Sequence, residues 1–200
     1  MLLKRQKKRM LTLILPNSIK LGEKEYSIRS DYRAGIRLMQ MFEDPELTDS
    51  EKLFIAMKVI FKDAVIPGVY LQEALEKTVW FLNGGELNQT SSAGSQRRLY
   101  SWNQDLRFII AAVDKTVGFS VRGKAFFHWW DFLSAFSEVG ESSFTTIVSQ
   151  RLLKQKGKQT ESDIDWWAEN ADIAELKVQR SKEEQNAVDR FNKLLKEGNG

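Results

Sequence analysis

The sequence predicts a mainly α-helical fold that begins with a short β-hairpin. Three prolines against six tryptophans in 200 residues favour helices over a turn-rich all-β fold. Between residues 30 and 153, hydrophobic side chains recur every three or four positions, which is the spacing of one helix face. We therefore expect a hairpin, a bundle of about six helices and a protruding polar C-terminal helix.

The hairpin and the first helix are predicted from the N-terminal third of the chain. Residues 11–15 and 24–28 are short β-prone segments, and Gly22 lies between them in a turn-forming sequence. A helix over residues 30–42 should follow, because Pro45 disfavours helical backbone at the residue before it.

Two further helices have clear ends in the sequence. Thr48 followed by Glu51 is a capping box, so the second helix should begin there, and Pro67 with Gly68 should stop it. The third helix is predicted over 71–82, because the glycines after Asn83 are typical of a helix C-terminus.

The second half of the chain predicts three more helices and a linker. We expect the fourth helix to start at Ser101, with Gln104 in the capping-box position. The fifth should cover 126–136 and the sixth 143–153, before a basic linker at 154–158.

Composition suggests how these elements are grouped. We expect a disordered basic arm over 1–10, one domain over 11–158 and a helical tail over 159–200. Residues 83–98 are rich in Gly, Ser, Gln and Asn and have no apolar periodicity, which predicts a mobile loop within the domain.

The stretch from Phe126 to Leu133 is the densest aromatic segment of the chain. It could be a packed core helix or a surface that stacks on nucleic-acid bases. Base-stacking aromatics lie exposed among basic residues, whereas Asp131 and Glu138 lie close to this segment. We therefore expect a buried helix, with His128 packed and hydrogen-bonded rather than catalytic.

The positive net charge comes from the N-terminal arm. The arm contributes five positive charges, so the remainder of the chain carries a net charge of −2. The arm could contact nucleic acid, could be a solubilising tail, or could result from the choice of Met1 rather than Met10 as the start. Its candidate nucleic-acid contacts are Lys4, Arg5, Lys7, Lys8 and Arg9.

Several kinds of chemistry find no support in the residues. Without cysteine, thiolate catalysis, disulfides and cysteine-based zinc sites are excluded. Gly84 and Gly85 lack the spacing of phosphate-binding loops, and no apolar run is long enough to span a membrane. We expect a non-enzymatic protein with no metal, no cofactor and no membrane contact.

A second tryptophan pair lies outside the expected core. Trp166 and Trp167 begin a polar helical pattern, so they could bind a partner or pack on the domain. The candidate partner-binding residues of this tail are Trp166, Trp167, Leu176, Phe191 and Leu195.

Several segments together resemble the phage gene-product-fifteen family, collinearly over about residues 11–153. The resemblance lies in segments 100–105, 109–112, 127–132 and 144–151, and the N-terminal segments 22–28, 44–52 and 80–85 are also similar. Its most specific parts are His128-Trp129-Trp130 and the Trp102-x-x-Asp105 element. We refer to seven residues within these segments as the signature residues: Trp102, Asp105, His128, Trp129, Trp130, Phe132 and Arg151.

The resemblance implies a protein of phage tail morphogenesis. These small proteins are encoded among the tail genes of temperate long-tailed phages and prophages of Gram-positive bacteria. A tail assembly chaperone or accessory that binds the tape-measure protein, the major tail protein or another copy of itself is therefore expected. The alternatives are a structural component of the tail or connector and a small nucleic-acid-binding regulator. The expected location is the host cytoplasm or the virion.

Overall fold

The computed structural model describes residues 14–86 and 99–177. The predicted N-terminal arm, residues 87–98 of the predicted loop and residues 178–200 of the predicted tail lie outside them. The described elements are β1 (Ser18–Leu21), β2 (Lys24–Ser27), α1 (Tyr32–Phe42), α2 (Asp49–Ile60), α3 (Leu71–Leu82), α4 (Leu106–Val117), α5 (Trp129–Ser137), α6 (Ser143–Lys156) and α7 (Glu161–Ala174). This architecture confirms the predicted fold class.

The hairpin is antiparallel and starts later than the sequence suggests. Ser18 pairs with Ser27 and Leu21 with Lys24, and Gly22 makes the turn with a φ of 55°. Residues 14 and 15, the described part of the first predicted strand, precede β1. The strand lies where it does because alternation buries Ile19 and Leu21 against the core.

The N-caps of α1 and α5 pair with each other. Asp31 and His128 form an isolated antiparallel bridge, in which the Tyr32 amide donates to the Phe127 carbonyl at 2.8 Å. The Trp129 amide in turn donates to the Ser30 carbonyl at 2.7 Å. Because this pairing keeps residues 126–128 extended, α5 begins at Trp129 rather than at residue 126. Phe126 is consequently 54% exposed, contrary to its predicted place in the core.

Helix α2 begins where predicted but ends earlier than predicted, and α3 matches its predicted boundaries. The Thr48 side chain accepts from the Glu51 amide, and the Glu51 carboxylate accepts from the Thr48 amide, so the predicted capping box is confirmed. Helix α2 ends at Ile60, well before Pro67, because Lys62 and Asp63 adopt left-handed backbone with φ of 55° and 57°. A short 3₁₀ turn at Gly68–Tyr70 then leads into α3.

The predicted start of the fourth helix at Ser101 is wrong, because α4 begins at Leu106. The Ser101 hydroxyl donates to the Glu43 carboxylate, and the side chain of Gln104 bonds to the backbone of Glu175 and Lys177. The Ser101 hydroxyl also accepts from the Gln104 amide at 3.1 Å, so it caps the turn that precedes α4 rather than the helix itself.

The C-terminal helices form a packed pair. Helix α6 extends to Lys156, so the first half of the predicted linker is helical, and Gly157 ends it with a φ of 61°. Helices α6 and α7 both begin with capping boxes, formed by Ser142 with Thr145 and by Thr160 with Asp163. Helix α7 packs against α6, while α6 packs against α4.

The core includes side chains from the hairpin and from α1 through α6, and it is rich in aromatic rings. Trp129 stacks on Phe132 with ring centroids 5.7 Å apart, and Phe132 stacks on Tyr32 at 5.2 Å. Such pairs add about 0.5–1.5 kcal/mol each beyond their area burial. Burial also raises the pKa of the Tyr32 phenol above its ordinary value.

Candidate functional site

All seven signature residues are buried. The indole N–H groups of Trp129 and Trp130 donate to the carbonyls of Leu82 and Phe81, at 3.0 and 2.8 Å. Both carbonyls lie in the last turn of α3, where regular helical partners are lacking, and the Phe81 carbonyl also accepts from the Gly84 amide at 3.2 Å. The tryptophan pair therefore attaches the start of α5 to the end of α3 and is part of the core, as predicted.

Two glycines make room for these indoles. A Cβ at Gly35 in α1 would lie 2.3 Å from the Trp129 ring, and one at Gly85 would lie 2.7 Å from the Trp130 ring. Gly85 also has a φ of 90°, which L-residues rarely adopt. The sequence did not reveal these roles, because each depends on a side chain distant in the chain.

His128 caps α5 with its side chain. Its Nδ1 accepts from the Trp130 amide at 3.0 Å, and its Nε2 lies 3.1 Å from the Pro16 carbonyl. Since Nδ1 accepts, we assign the ring proton to Nε2, which donates to Pro16. The ring is 3% exposed with both nitrogens engaged, so it supports the fold as expected.

Asp105 and Arg151 form a buried ion pair. The carboxylate accepts from both terminal nitrogens of the guanidinium, at 2.6 and 3.0 Å, and also from the Ser101 amide at 2.9 Å. The remaining guanidinium N–H groups donate to the carbonyls of Leu99, Ile173 and Ala174. All five donors of Arg151 are therefore used. One side chain connects α4, α6 and the C-terminal end of α7.

Glu43 is a second buried charge, and sequence reasoning missed it. Its carboxylate accepts from the Ser101 hydroxyl at 2.6 Å, the Trp102 amide at 2.7 Å and the Asn103 amide at 3.1 Å. It thereby fixes the turn before α4 against the end of α1. Glu43 lies directly before Asp44 and Pro45, a sequence typical of an exposed helix end. Nothing in the sequence therefore indicated that its side chain is buried.

These buried polar groups are held by several fixed partners each. Such an arrangement specifies the fold, and it presents no reactive atom at a cleft. In residues 14–86 and 99–177, no group of three His, Asp or Glu side chains could hold a metal ion. Across the same residues, no helix has the length and apolar character needed to cross a bilayer.

The candidate residues of the tail lie in different environments. Trp167 is 8% exposed and packs on the domain, with the Lys154 ammonium 3.8 Å from its ring centroid. Trp166 and Leu176 are half-buried. Phe191 and Leu195 lie outside the described residues, as do the arm residues Lys4, Arg5, Lys7, Lys8 and Arg9. The sequence left open whether the tryptophan pair binds a partner or packs on the domain, and Trp167 packs on the domain.

Exposed large apolar side chains are concentrated in one stretch of the described sequence. Eight such residues are at least 38% exposed, and four of them fall between residues 54 and 71. These four form what we call the 54–71 surface: Phe54, Val65, Val69 and Leu71. Val65 and Val69 are 85% and 82% exposed, so both side chains are accessible to a partner.

Comparison with known proteins identifies the family. The family model described as Bacteriophage Gp15 protein matches residues 11–172, which include all seven signature residues and most of α7. Comparisons with curated proteins and with solved structures give no match. The family model covers far more than half of the chain, and the chain therefore belongs to the Bacteriophage Gp15 protein family.

Proposed function

We propose that this protein is a non-enzymatic tail-morphogenesis protein, acting as a tail assembly chaperone or accessory. Its partner would be the tape-measure protein, the tail-tube protein or both, in the cytoplasm of the bacterial host. The observation that carries the proposal is the family match over residues 11–172, since the family is one of phage proteins.

The distribution of side chains supports a binding role. The buried charges serve the fold, whereas the 54–71 surface exposes apolar side chains to water. A chaperone that coats a long, repetitive partner needs only modest affinity per copy, because repeated contacts add avidity. A small apolar surface on a rigid helical body fits that requirement.

A pull-down with tape-measure fragments from the same phage tests the proposal. We expect the wild-type protein to retain the fragments and Val65→Ser/Val69→Ser to lose them, because both side chains are exposed and the fold does not depend on them. Ile164→Ser on α7 is the matched control, since Ile164 is 57% exposed elsewhere. Retention by none of the three proteins would refute the proposed partner.

Composition of purified virions separates the proposal from its main alternative. A chaperone should be missing from mature particles, whereas a structural tail or connector component should be found there by mass spectrometry. A nucleic-acid-binding regulator would instead show DNA binding that falls steeply with salt and is lost without residues 1–9.

A further inference from the structure

A groove with a strongly basic lining lies where the hairpin leads into α1. It has a volume of about 450 Å³, within the range of ligand pockets. Its charged and aromatic lining residues are Arg29, Arg33, Arg37, Lys62, Asp31 and Phe126. Four cations therefore face one carboxylate, although residues 10–200 together carry a net charge of −2.

Fixed contacts hold two of the cations in place. The Arg33 guanidinium contacts the Asp31 carboxylate at 3.1 and 3.2 Å and donates to the Lys124 carbonyl at 2.7 Å. The Lys62 ammonium donates to the Ser27 hydroxyl at 2.7 Å. A ligand that binds between them would order few side chains, which reduces the entropic cost of binding.

The backbone at Lys62 is unusual for its residue type. Lys62 and Asp63 both have φ near +55°, a conformation that L-residues adopt at a cost of about 1–2 kcal/mol each. Glycine would satisfy this turn without that cost. The lysine is instead present, and it contributes a cation to the groove.

The side chains of the other two cations, Arg29 and Arg37, are available to bind a ligand. Arg29 lies 3.9 Å from Asp63 in a pair whose side chains are 51% and 74% exposed, and such pairs are weak. Arg37 is exposed and has no hydrogen bond or ion pair with the described part of the chain. Both guanidinium groups could bind a carboxylate through two parallel N–H donors.

We propose that this groove binds an acidic segment of a partner protein, with an apolar side chain of that segment against Phe126. The inference rests on the proposed function only in taking the partner to be a protein. Charge complementarity selects carboxylates, and the exposed Phe126 ring selects an apolar neighbour. A nucleic-acid strand fits less well, because it needs a long basic track with successive aromatic platforms.

Fluorescence anisotropy with labelled peptides tests the inference directly. The probe is a short peptide of Asp and Glu residues around one central Phe, and its Asn and Gln counterpart is the neutral control. A single-stranded oligonucleotide of similar length is the third probe. We expect the acidic peptide to bind at least about tenfold more tightly than either of the others at low salt. A tenfold difference in affinity corresponds to about 1.4 kcal/mol.

Two double variants make the test specific for the groove. Arg37→Ala/Lys62→Gly should weaken binding of the acidic peptide at least about tenfold, while thermal unfolding shows an intact fold. Lys156→Ala/Lys158→Ala removes the same charge from exposed positions outside the groove and should leave binding unchanged.

Other results would overturn the inference. Equal affinity for the acidic and neutral peptides would show that charge does not select the ligand. Equal losses in the two double variants would show that net charge alone is responsible, and tighter binding of the oligonucleotide would assign the groove to nucleic acid. The peptides contain no tape-measure sequence, so a failure of this test would not affect the proposed function, which the pull-down tests separately.

Discussion

Replacing Arg151 with methionine should be among the most destabilising single changes in this protein. The guanidinium is 4% exposed and makes five hydrogen bonds, two of them to Asp105. Methionine keeps most of the volume but leaves a buried carboxylate with only the Ser101 amide among its described partners. Loss of one member of a buried ion pair costs about 3–5 kcal/mol.

The matched change at the other end of the pair should cost less. Asp105→Asn keeps an acceptor for Arg151, and the guanidinium still has three backbone carbonyls. We therefore expect a loss of about 1–3 kcal/mol. The double variant Asp105→Asn/Arg151→Met should lose less free energy of unfolding than the two single variants lose together, because no unpaired charge then remains buried.

Urea unfolding followed by far-UV circular dichroism measures all three variants. A domain of this kind has a total stability of about 5–15 kcal/mol, so the Arg151 variant could be partly unfolded at 25 °C. A loss below about 1 kcal/mol for Arg151→Met would refute the reasoning, because it would mean that water or relaxation compensates Asp105.

Three further changes test other parts of the fold. Trp129→Ala should lower the free energy of unfolding by about 3–5 kcal/mol in urea titrations, since the side chain is fully buried; a loss under about 1 kcal/mol would contradict that role. Gly35→Ala should cost about 1–3 kcal/mol by the same assay, because its Cβ would meet the Trp129 ring at 2.3 Å, and unchanged stability would show that the ring can move. The Thr160 amide, the Thr160 hydroxyl and Gln150 lower the pKa of Asp163. The stabilising effect of the ionised Asp163 carboxylate is therefore present above its unfolded pKa of about 3.9 and is lost as pH falls through the lower folded value. Asp163→Asn should be less stable than wild type at pH 7, and the difference should shrink as the pH is lowered through the acid range, as thermal unfolding at a series of pH values would show.

Local signals predicted much of the fold. The Thr48 and Glu51 capping box and the boundaries of α3 were correct, because both depend on residues close in sequence. The start of α4 was wrong, since Ser101 caps a turn before the helix and also bonds to Glu43, while the Gln104 side chain bonds to the backbone of Glu175. Helix α5 began later than expected for the same reason, as backbone pairing with residues 30–32 keeps the preceding residues extended.

The candidate sites were harder to predict than the helices. The signature tryptophans were correctly expected in the core, because their spacing marks one helix face. The buried role of Glu43 was not foreseen, since its partners lie about sixty residues away in the chain. The basic groove was not foreseen either, because it joins three arginines of residues 29–37 to the distant Lys62 and Phe126. Sequence patterns describe individual elements, whereas charge clusters depend on how these elements pack.

The bridge between Asp31 and His128 has a consequence for how the chain folds. It joins the first residues of two helices separated by nearly half of the sequence, so the chain between them must close into a loop before both helix starts are fixed. Such closure is entropically costly and slows folding relative to a bundle with only local contacts. We therefore expect the α2 and α3 pair to form early, and the hairpin and α5 to join across this bridge in the slow step.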